Sequence, residues 1–500
     1  MLFLGIDAGT TSLKAGLFDE RGNARAIVNE EYSLITPSAD EAEIDPAEYW
    51  RACVSAVRRV LAKANVRRED IVSIGVSSQG ETTIAVDVQG NALRRALVWL
   101  DNRATAQAQQ IAAHFDLKRV YEITGDPEIV PTWTACKILW LKQNEPEIFR
   151  RVHKFILVED YLLQRLTGRF ATDGAVACTS MLWDIRCGGW WSEMLDFIGI
   201  TPAQLSEPVA PGGIVGTLRP DAASELGLSP KVQVVACGMD QAAGAVGAGN
   251  IRLGVISETT GAALAIQATM PAPHLDATGK LPVYVHDAHD LFLFVPVCNT
   301  GGMALRWFRD QFGQEEMRVA REQNRDAYDR LGELAQTVDP GCEGLTMLPH
   351  LMGAFSPEYN MNAHGVFYGF TLRHTKAHFA RAILEAIAFM LKRNLDLMRA
   401  LGVEVHEVRS TGGGAKSPLW LQIKADVLGL PVVTLEQEDT AVLGDAILAA
   451  VACGVHTNLA DACAAMVRLR GRIEPNVVTR AAYDAAFAQY VSVYDRLYGR

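Results

Sequence analysis

The chain has 500 residues, of which 49% are hydrophobic and 21% are charged, and its formal net charge is -11. These values are ordinary for a globular protein, and the length exceeds what one hydrophobic core supports, so we expect two domains of roughly 200–250 residues each. The acidic charge disfavours a nucleic acid or an anionic membrane as partner. It leaves anionic ligands open, because backbone N–H groups bind phosphate without a basic protein.

The cysteines and the hydropathy pattern bear on the compartment. The nine cysteines are scattered and none forms a C-x-x-C pair, so zinc and thioredoxin-like chemistry lack support. Scattered cysteines in a long chain are typical of a reducing compartment, and we predict a cytoplasmic protein. The first apolar run breaks at Asp7 without a positive flank, unlike a signal peptide, and no run approaches the roughly 20 apolar residues of a membrane span.

The first 90 residues predict one layer of an α/β domain. The predicted elements are strands at 2–6, 13–18 and 25–32, a helix at 45–64 and a strand at 71–78. The helix has a clear start, because Asp45 is a good N-cap and Pro46 fits the first helical position. Three strands forming a meander, then a helix and a strand, are the order expected at the start of an RNase-H-like layer.

Later segments repeat this alternation. We predict helices at 134–149, 159–168 and 376–401, a strand, turn and helix at 231–251, and a strand, glycine loop, helix and strand at 407–435. Strands near 253–268 again flank a turn rich in hydroxyls and glycine, which suggests two halves of related design with a junction near 249–255. We interpret the glycines of GAVGAG (244–249) as helix-packing positions and HDAH (286–289) as a surface turn, with no histidine as a ligand.

The turn of the first hairpin carries more polar groups than a hairpin needs. Its sequence, GIDAGTTS, combines the acid Asp7 with Gly9, Thr10, Thr11 and Ser12. Backbone N–H and hydroxyl groups in such a turn can converge on one anion, and the acid could hold a metal through water. An ordinary turn capped by its own side chains accounts for the same residues.

Two further strand ends carry polar side chains. VSSQGETT places Gln79 and Glu81 after a strand that should lie beside the first, where open α/β sheets bind ligands. An amide with a carboxylate suits the hydroxyls of a polyol, although a solvated loop is the alternative. CGMDQAAG places Asp240 between a buried strand and a tightly packed helix. Asp240 could act as the general base for a hydroxyl nucleophile, or it could cap the helix.

A glycine run, STGGGAKSP, follows the strand predicted at the start of 407–435. Three glycines allow a flat ligand or a phosphate to approach the backbone closely. The run matches neither G-x-x-x-x-G-K-[ST] nor G-x-G-x-x-G. A flexible turn remains the alternative.

Taken together and in this order, these turns resemble those of the FGGY carbohydrate kinases. The resemblance rests on GIDAGTTSLKAGLFDERG, SSQGETT with ALVWLDNRA, CGMDQAAGAVGAG, GFTLRHTKAHFARAILEAIAF and STGGGAKSPLWLQIKADVLGLPV, and it covers nearly the whole chain. It implies an α/β fold of two RNase-H-like domains of the actin-like ATPase superfamily, with the active site in the cleft between them. We expect an N-terminal FGGY domain at 1–248, which binds the sugar, and a C-terminal, ATP-binding FGGY domain at 249–500.

The resemblance also implies ATP and magnesium as cofactors and assigns roles to residues. It implies Asp240 as catalytic base, Asp7 as the acid associated with magnesium, Thr10, Thr11 and Ser12 in the first phosphate turn, Thr259 and Gly261 in the second, and Gly412, Gly413, Gly414 and Ala415 in the loop that contacts adenosine. The substrate pocket is expected to contain Gln79, Glu81, Trp99, Asp240 and Gln241.

The acceptor is less clear from the sequence. Glu81 and the pair Asp240-Gln241 look like glycerol kinase, but Gly80 stands where that enzyme has an arginine, and Thr132 or Trp133 where it has a tyrosine. The Met-His-Gly of xylulokinases is absent, whereas the segment from KILWL to FATD looks like a xylulokinase-type sugar kinase. Loss of an arginine and a tyrosine would enlarge and neutralise the pocket, which favours a pentulose such as xylulose.

Two alternatives stay open at this point: a kinase for glycerol or another polyol, and a non-catalytic nucleotide-binding regulator. The partners expected are a small sugar or polyol and a second copy of the chain in a homodimer, with no nucleic acid and no membrane.

Overall fold

The computed structural model describes residues 1–499, and strands and helices alternate along the chain. The strands are β1 (Leu2–Ala8), β2 (Ser12–Asp19), β3 (Ala24–Glu31), β4 (Glu43–Ile44), β5 (Ile71–Ser78), β6 (Ile84–Val86), β7 (Ala96–Leu97), β8 (Lys154–Ile156), β9 (Ala171–Asp173), β10 (Trp183–Asp184), β11 (Gly189–Trp190), β12 (Glu207–Val209), β13 (Ile214–Thr217), β14 (Gln233–Met239), β15 (Gly254–Thr260), β16 (Leu264–Met270), β17 (Val283–Val285), β18 (Phe292–Phe294), β19 (Val297–Cys298), β20 (Thr346–Leu348), β21 (Val366–Tyr368), β22 (Val405–Thr411), β23 (Val432–Leu435) and β24 (Leu469–Ile473).

The helices are α1 (Pro46–Ala64), α2 (Thr105–His114), α3 (Leu117–Thr124), α4 (Thr134–Asn144), α5 (Pro146–Arg151), α6 (Val158–Thr167), α7 (Gly174–Ala177), α8 (Ser192–Ile198), α9 (Pro220–Leu226), α10 (Asp240–Gly247), α11 (Met303–Phe312), α12 (Gln314–Glu322), α13 (Ala327–Gln336), α14 (Lys376–Ala400), α15 (Pro418–Leu428), α16 (Thr440–Ala452), α17 (Leu459–Met466) and α18 (Arg480–Tyr498). Short 3-10 turns lie at Arg68–Asp70, Cys178–Ser180, Pro202–Gln204, Cys342–Gly344 and Gly413–Lys416.

The chain divides into two units that are discontinuous in sequence. The first comprises residues 1–251, 269–293 and 439–468, and the second comprises residues 252–268, 294–438 and 469–500. The predicted division into domains at 1–248 and 249–500 stays a prediction.

The first unit is built on a six-stranded sheet with the order β13-β14-β5-β1-β2-β3. Strands β1, β5 and β14 run parallel, and β1, β2 and β3 form the predicted antiparallel meander. Alternation along β1 sends Leu4 and Ile6 into a core shared with α1, α6 and α9, and Phe3 into a second core on the other face. The carboxyl ends of three parallel strands therefore meet at one edge.

Helix α16 covers that second face, although it follows most of the second unit in sequence. A Cβ atom on Gly5 of β1 would lie 2.0 Å from the Val442 carbonyl oxygen, and one on Gly75 of β5 would lie 2.2 Å from that of Asp445. Helices α10 and α16 also pack very closely against each other, since a Cβ atom on Gly247 would lie 1.8 Å from the Thr440 carbonyl oxygen of α16. This confirms the helix-packing role for Gly247, whereas a Cβ atom on Gly244 would make only an ordinary contact at 3.6 Å, and Gly249 lies beyond α10 with φ of 68°.

The second unit contains a sheet with the order β16-β15-β22-β23-β24. Strands β15, β22 and β23 are parallel, and β16 and β24 pair antiparallel at either side. The long helix α14 packs on α13 and α15. The predicted strand, glycine loop, helix and strand at 407–435 corresponds to β22, the turn at Gly413–Lys416, α15 and β23.

Two local predictions are wrong. The helix predicted at 134–149 is interrupted at Glu145, because Pro146 cannot continue a helix and instead starts α5. The segment HDAH is not a surface turn throughout, because His286 is 0% and Asp287 2% exposed. The His286 ring lies 2.8 Å from the carbonyl oxygen of Asn250, and tertiary packing therefore overrides the polar local sequence.

Within residues 1–499, no helix is long and apolar enough to cross a membrane.

Candidate functional site

The polar residues predicted at strand ends come together in the first unit. In the register of the sheet, Asp7 of β1 pairs with Ser77 of β5, and Met239 of β14 pairs with Ser78. Asp7, the Gln79 loop and Asp240 therefore lie at the carboxyl ends of three adjacent parallel strands. This is the edge at which open α/β sheets bind their ligands.

The first hairpin turn is held from three directions. The Gly9 N–H donates to the Ser12 carbonyl oxygen at 3.0 Å, and the Tyr32 hydroxyl donates to the Gly9 carbonyl oxygen. The Trp99 indole N–H donates to the Thr10 hydroxyl at 2.9 Å, while Thr11 is exposed. Trp99, predicted to line the acceptor pocket, thus contacts the turn that is predicted to bind phosphate.

Three acids of this edge act on one another electrostatically. Burial raises the pKa of Asp7 to about 7, with a further contribution from the charge of Asp240 and opposition from Lys14. Burial also raises the pKa of Asp240 to about 7, Glu81 adds to that shift, and hydrogen bonds from Gln241 oppose it. One Asp7 oxygen, Oδ1, is buried without a hydrogen-bond partner. Asp240 can therefore accept a proton near neutral pH, and the unpartnered Asp7 oxygen can contact a cation.

Glu81 is held in an unusual backbone conformation. Its φ is 54°, in the left-handed region that costs a non-glycine residue energy. Its carbonyl oxygen accepts hydrogen bonds from the Thr134 hydroxyl and the Lys137 ammonium, both at 3.1 Å, and its N–H donates to the Thr179 hydroxyl at 3.2 Å. These three side chains were not predicted, because nothing in their local sequence connects them with position 81. Their hydrogen bonds fix the backbone position from which the Glu81 side chain projects.

The loop leaves no space beside Gly80. A Cβ atom there would lie 2.5 Å from the Thr179 hydroxyl oxygen and 2.8 Å from its Cβ. A side chain at this position, such as the arginine expected from the glycerol kinase pattern, therefore does not fit unless Thr179 moves. The adjacent Gln79 donates through Nε2 to the Tyr49 hydroxyl at 2.9 Å, while its Oε1 is buried without a partner. Gln79 thus offers one free acceptor.

A further buried acid, Asp126, was not predicted. It is 0% exposed, and neither carboxylate oxygen has a hydrogen-bond partner. Burial raises its pKa well above the ordinary value, and the charge of Glu81 adds to the shift. Lys137, which donates to the Glu81 carbonyl oxygen, is also 0% exposed, and burial lowers its pKa to about 7. Around Glu81 the structure therefore gathers buried carboxyls whose raised pKa values favour the protonated form.

The second unit contains a pocket of about 800 Å³ between the ends of β15 and β22 and the helices that follow. Thr260, Gly261 and Ala262 line it on one side, and Gly413 and Gly414 on the other. Its remaining lining comes from three helical regions: Gly302, Met303, Leu305 and Arg306; residues of 325–336; and Leu384 with residues of 416–420. The region 325–336 carries no glycine loop or other motif that would have predicted this.

The remaining predicted nucleotide residues lie close to this pocket. The Thr259 hydroxyl is 2.8 Å from that of Thr411. Gly412 has φ of 73°, and a Cβ atom on it would lie 3.0 Å from the Thr260 carbonyl oxygen, so glycine is required there. Ala415 lines an adjoining pocket of about 530 Å³.

The residues of the first unit could hold magnesium only if substrate phosphates and water completed its coordination. Among residues 1–499 no group of three or more His, Cys, Asp or Glu side chains is arranged to hold a metal. Magnesium is usually held by one or two carboxylates together with substrate phosphates and water. Asp7, with its buried unpartnered oxygen, fits that mode of binding.

Comparison with solved structures shows the class of protein to which this fold belongs, the sugar kinases with an actin-like ATPase fold. A ligand-bound xylulose kinase from Lactobacillus acidophilus superposes with a TM-score of 0.90 and 26% identity, covering 99% of this chain and 98% of that chain. A gluconate kinase from the same organism gives the same TM-score, identity and coverage.

Sequence comparison gives the family. The FGGY family of carbohydrate kinases matches through its N-terminal domain at residues 2–247 and its C-terminal domain at residues 255–453. The chain belongs to this family and is an ATP-dependent carbohydrate kinase. It is 30% identical to a xylulose kinase of Bacillus subtilis (strain 168), over 98% of this chain and 96% of the relative. It is 32% identical to a gluconokinase of Bacillus licheniformis, over 90% and 87%.

Proposed function

We propose that this kinase phosphorylates a terminal hydroxyl of a neutral open-chain sugar, a pentulose such as xylulose. The observation that carries the proposal is the acidic edge of the first unit. Asp240 lies there at the end of a buried strand, where burial and then the charge of Glu81 raise its pKa to about 7, and it starts a tightly packed helix. Such a carboxylate has the basicity needed to take a proton from a hydroxyl near neutral pH.

The acceptor side of the reaction uses residues at the ends of β5 and β14. Asp240 would orient the acceptor hydroxyl and remove its proton as the phosphoryl group arrives. The free Oε1 of Gln79 and the carboxylate of Glu81 would accept hydrogen bonds from neighbouring hydroxyls. Gln241 would complete this set, while Trp99 would act on it through the phosphate turn that it contacts.

The charge of this edge bears on which sugar binds. Relatives are named both xylulose kinase and gluconokinase, and gluconate carries a carboxylate that xylulose lacks. Burial raises the pKa of Glu81 and of Asp240 to about 7, so both carry part of a negative charge near neutral pH and would repel that carboxylate. Lys137 already donates to the Glu81 carbonyl oxygen. A neutral sugar with several hydroxyls avoids this repulsion, because hydroxyls donate to carboxylates.

Polyols, glycerol among them, form the second candidate class of acceptors. Glu81 and the pair Asp240-Gln241 favour polyol acceptors, because these residues resemble the glycerol kinase pattern. The lack of space beside Gly80, which disfavours an arginine, weighs against a pocket of the glycerol kinase type.

The nucleotide side would use the pocket of the second unit. Gly413 and Gly414 would allow the nucleotide to approach the backbone, with Gly412 and Ala415 beside them, and Thr259 and Gly261 would contact phosphates. Thr10, Thr11 and Ser12 of the first turn stay predicted ligands of the transferred phosphate. Asp7 would hold magnesium, which when bound offsets the charge of the phosphates. Phosphoryl transfer depends mainly on such positioning and charge neutralisation.

The test is ADP release with ATP and magnesium across xylulose, ribulose, gluconate, glycerol and four- to six-carbon polyols. We expect turnover to be highest with one pentulose and very low with gluconate. Turnover highest with gluconate would refute the charge argument, and turnover highest with glycerol would refute the argument from Gly80.

The role of Asp240 is tested by Asp240→Asn, which keeps the shape but cannot accept the proton. We expect kcat to fall by about 10²–10⁴-fold with ADP affinity retained. Asp287→Asn is the matched control, since Asp287 is also a buried carboxyl of the first unit with a raised pKa, and both its oxygens lack partners. Wild-type kcat for Asp240→Asn would refute the mechanism.

The setting of the reaction also stays a proposal. We place the enzyme in the cytoplasm, because all nine cysteines are free thiols, as expected in a reducing compartment. A homodimer is the predicted assembly, and light scattering of the purified protein tests it.

A further inference from the structure

A fully buried ion pair lies behind the pocket of the second unit. The Lys424 ammonium on α15 donates to Glu258 Oε1 at 2.5 Å, and both side chains are 0% exposed. Lys424 also donates to the Thr260 hydroxyl at 2.9 Å and to the Ser410 hydroxyl at 3.3 Å. The Thr260 hydroxyl donates to Glu258 Oε2 at 2.7 Å, and Ser410 donates to Oε1. We call these four residues the Lys424 network.

The network joins the three elements from which the pocket turns leave. Glu258 and Thr260 belong to β15, just before Gly261, and Ser410 belongs to β22, just before the glycine loop. Lys424 belongs to α15, which follows that loop. The Lys424 ammonium group therefore links the turn after β15 to the glycine loop after β22.

Both pocket turns rest on the network. Thr260 and Gly414 line the pocket. A Cβ atom on Gly414 would lie 2.6 Å from the Thr260 Cβ and 3.3 Å from the Lys424 ammonium nitrogen. Lys424 also lies 5.3 Å from the ring centre of Trp420, another lining residue. A shift of the ammonium group would therefore move both sides of the pocket.

Stability alone does not explain such a pair. Burying two charges costs several kcal/mol per ion, and well-packed apolar residues often serve as well or better. What a buried pair can supply is a fixed geometry, because an ammonium group with three acceptors around it permits few alternative arrangements.

We propose that Lys424 is a positioning residue for the nucleotide: paired with Glu258, it fixes the Thr260 turn and the Gly414 loop in the spacing that holds the phosphates. The inference rests on the proposed nucleotide pocket. It assigns Lys424 no contact with ATP, and its effect is transmitted through Thr260 and Gly414.

The test uses the double variant Lys424→Met/Glu258→Gln. Removing one partner alone leaves an unpaired buried charge and destabilises the unit, whereas the double variant is neutral and of similar volume. We expect its melting temperature to stay near that of the wild type. We expect the Kd for ADP, measured by calorimetry, and the KM for ATP to rise by about tenfold, equivalent to about 1.4 kcal/mol. The KM for the sugar should stay unchanged.

A matched control is Arg381→Met/Glu385→Gln, which neutralises another buried ion pair of the second unit, on α14. Its ADP affinity should equal that of the wild type. If the Lys424→Met/Glu258→Gln protein is folded and binds ADP as tightly as the wild type, the pair is merely structural and the proposal fails.

A milder variant keeps the proposal testable if the double variant does not fold. Ser410→Ala deletes one hydroxyl of the network and leaves the ion pair intact. We expect a smaller rise in the ADP Kd, about two- to fivefold, and an unchanged affinity would contradict the proposal. Failure of wild-type protein to bind ADP would instead overturn the proposed nucleotide pocket, so the two failures are distinguishable.

Discussion

Replacing Gly414 by alanine tests whether the glycine loop of the second unit positions the nucleotide. Gly414 is buried at the base of the pocket, and its Cβ atom would lie 2.6 Å from Thr260 Cβ and 2.9 Å from Thr260 Cγ2. Rotation of the threonine side chain relieves the second contact but not the first, because Cβ is fixed to the backbone. The loop or the end of β15 must therefore move.

The size of that movement determines how much kcat/KM for ATP is expected to fall. Carbon atoms in ordinary contact are about 3.5–4.0 Å apart, so the backbone must shift by about 1 Å. A misplacement of the bound substrate by about 1 Å, even when caused by a substitution far from the reacting groups, can cost about 10²-fold in rate, or about 2.7 kcal/mol of transition-state stabilisation. We expect kcat/KM for ATP to fall by about that factor, while the KM for the sugar changes little.

The assay is ADP release, measured first at saturating sugar with varied ATP and then at saturating ATP with varied sugar. Gly413→Ala is the matched control in the same loop, since its Cβ atom has no protein atom nearer than the Thr260 carbonyl oxygen at 3.9 Å. We expect it to be the milder of the two. Wild-type kcat/KM for ATP in Gly414→Ala would refute the reasoning.

Three further predictions concern the first unit. Gly247→Ala should destabilise it by about 1–3 kcal/mol, because the new Cβ would lie 1.8 Å from the Thr440 carbonyl oxygen; an unchanged melting temperature would count against the close packing of α10 and α16. Burial raises the pKa of Asp287 well above its ordinary value, so the folded chain holds a proton that the unfolded chain releases, and stability falls as pH rises above about 4. Asp287→Asn should reduce this fall by up to about 1.4 kcal/mol per pH unit, which urea unfolding between about pH 5 and pH 7 measures; an identical slope in both proteins would contradict it. Trp99→Phe removes the donor to Thr10 and should raise the KM for ATP about two- to tenfold; an effect on the sugar KM alone would instead place Trp99 in the acceptor pocket.

Local patterns were sufficient for much of the fold. The start of α1 followed from its capping chemistry: the Asp45 carboxylate accepts the Ala47 N–H, as an N-cap does, and Pro46 follows. The short apolar runs of β1 and β5 likewise predicted strands. The order of the polar turns, rather than any one of them, indicated the family.

Other features depend on contacts that no local pattern encodes. His286 and Asp287 looked like turn residues, and their burial arises from packing against parts of the chain far away in sequence. Lys137 and Thr179 meet Glu81 only after folding, across separations of 56 and 98 residues. Lys424 lies in a helix whose apolar pattern was correctly predicted, but its pairing with a strand 166 residues earlier was not.

The return of α16 to the first sheet has a consequence for how the protein is made. Phe3, Phe18 and Val235 form one core with Val442 and Ile447, so one face of that sheet is completed only by residues near the end of the chain. During synthesis, the amino-terminal half would leave the ribosome with this apolar face uncovered until α16 has followed, and exposed faces of this kind favour aggregation. A fragment that ends near residue 250 would lack the same cover. Expressed fragments and circular permutants should therefore keep residues 439–468 together with the first 251.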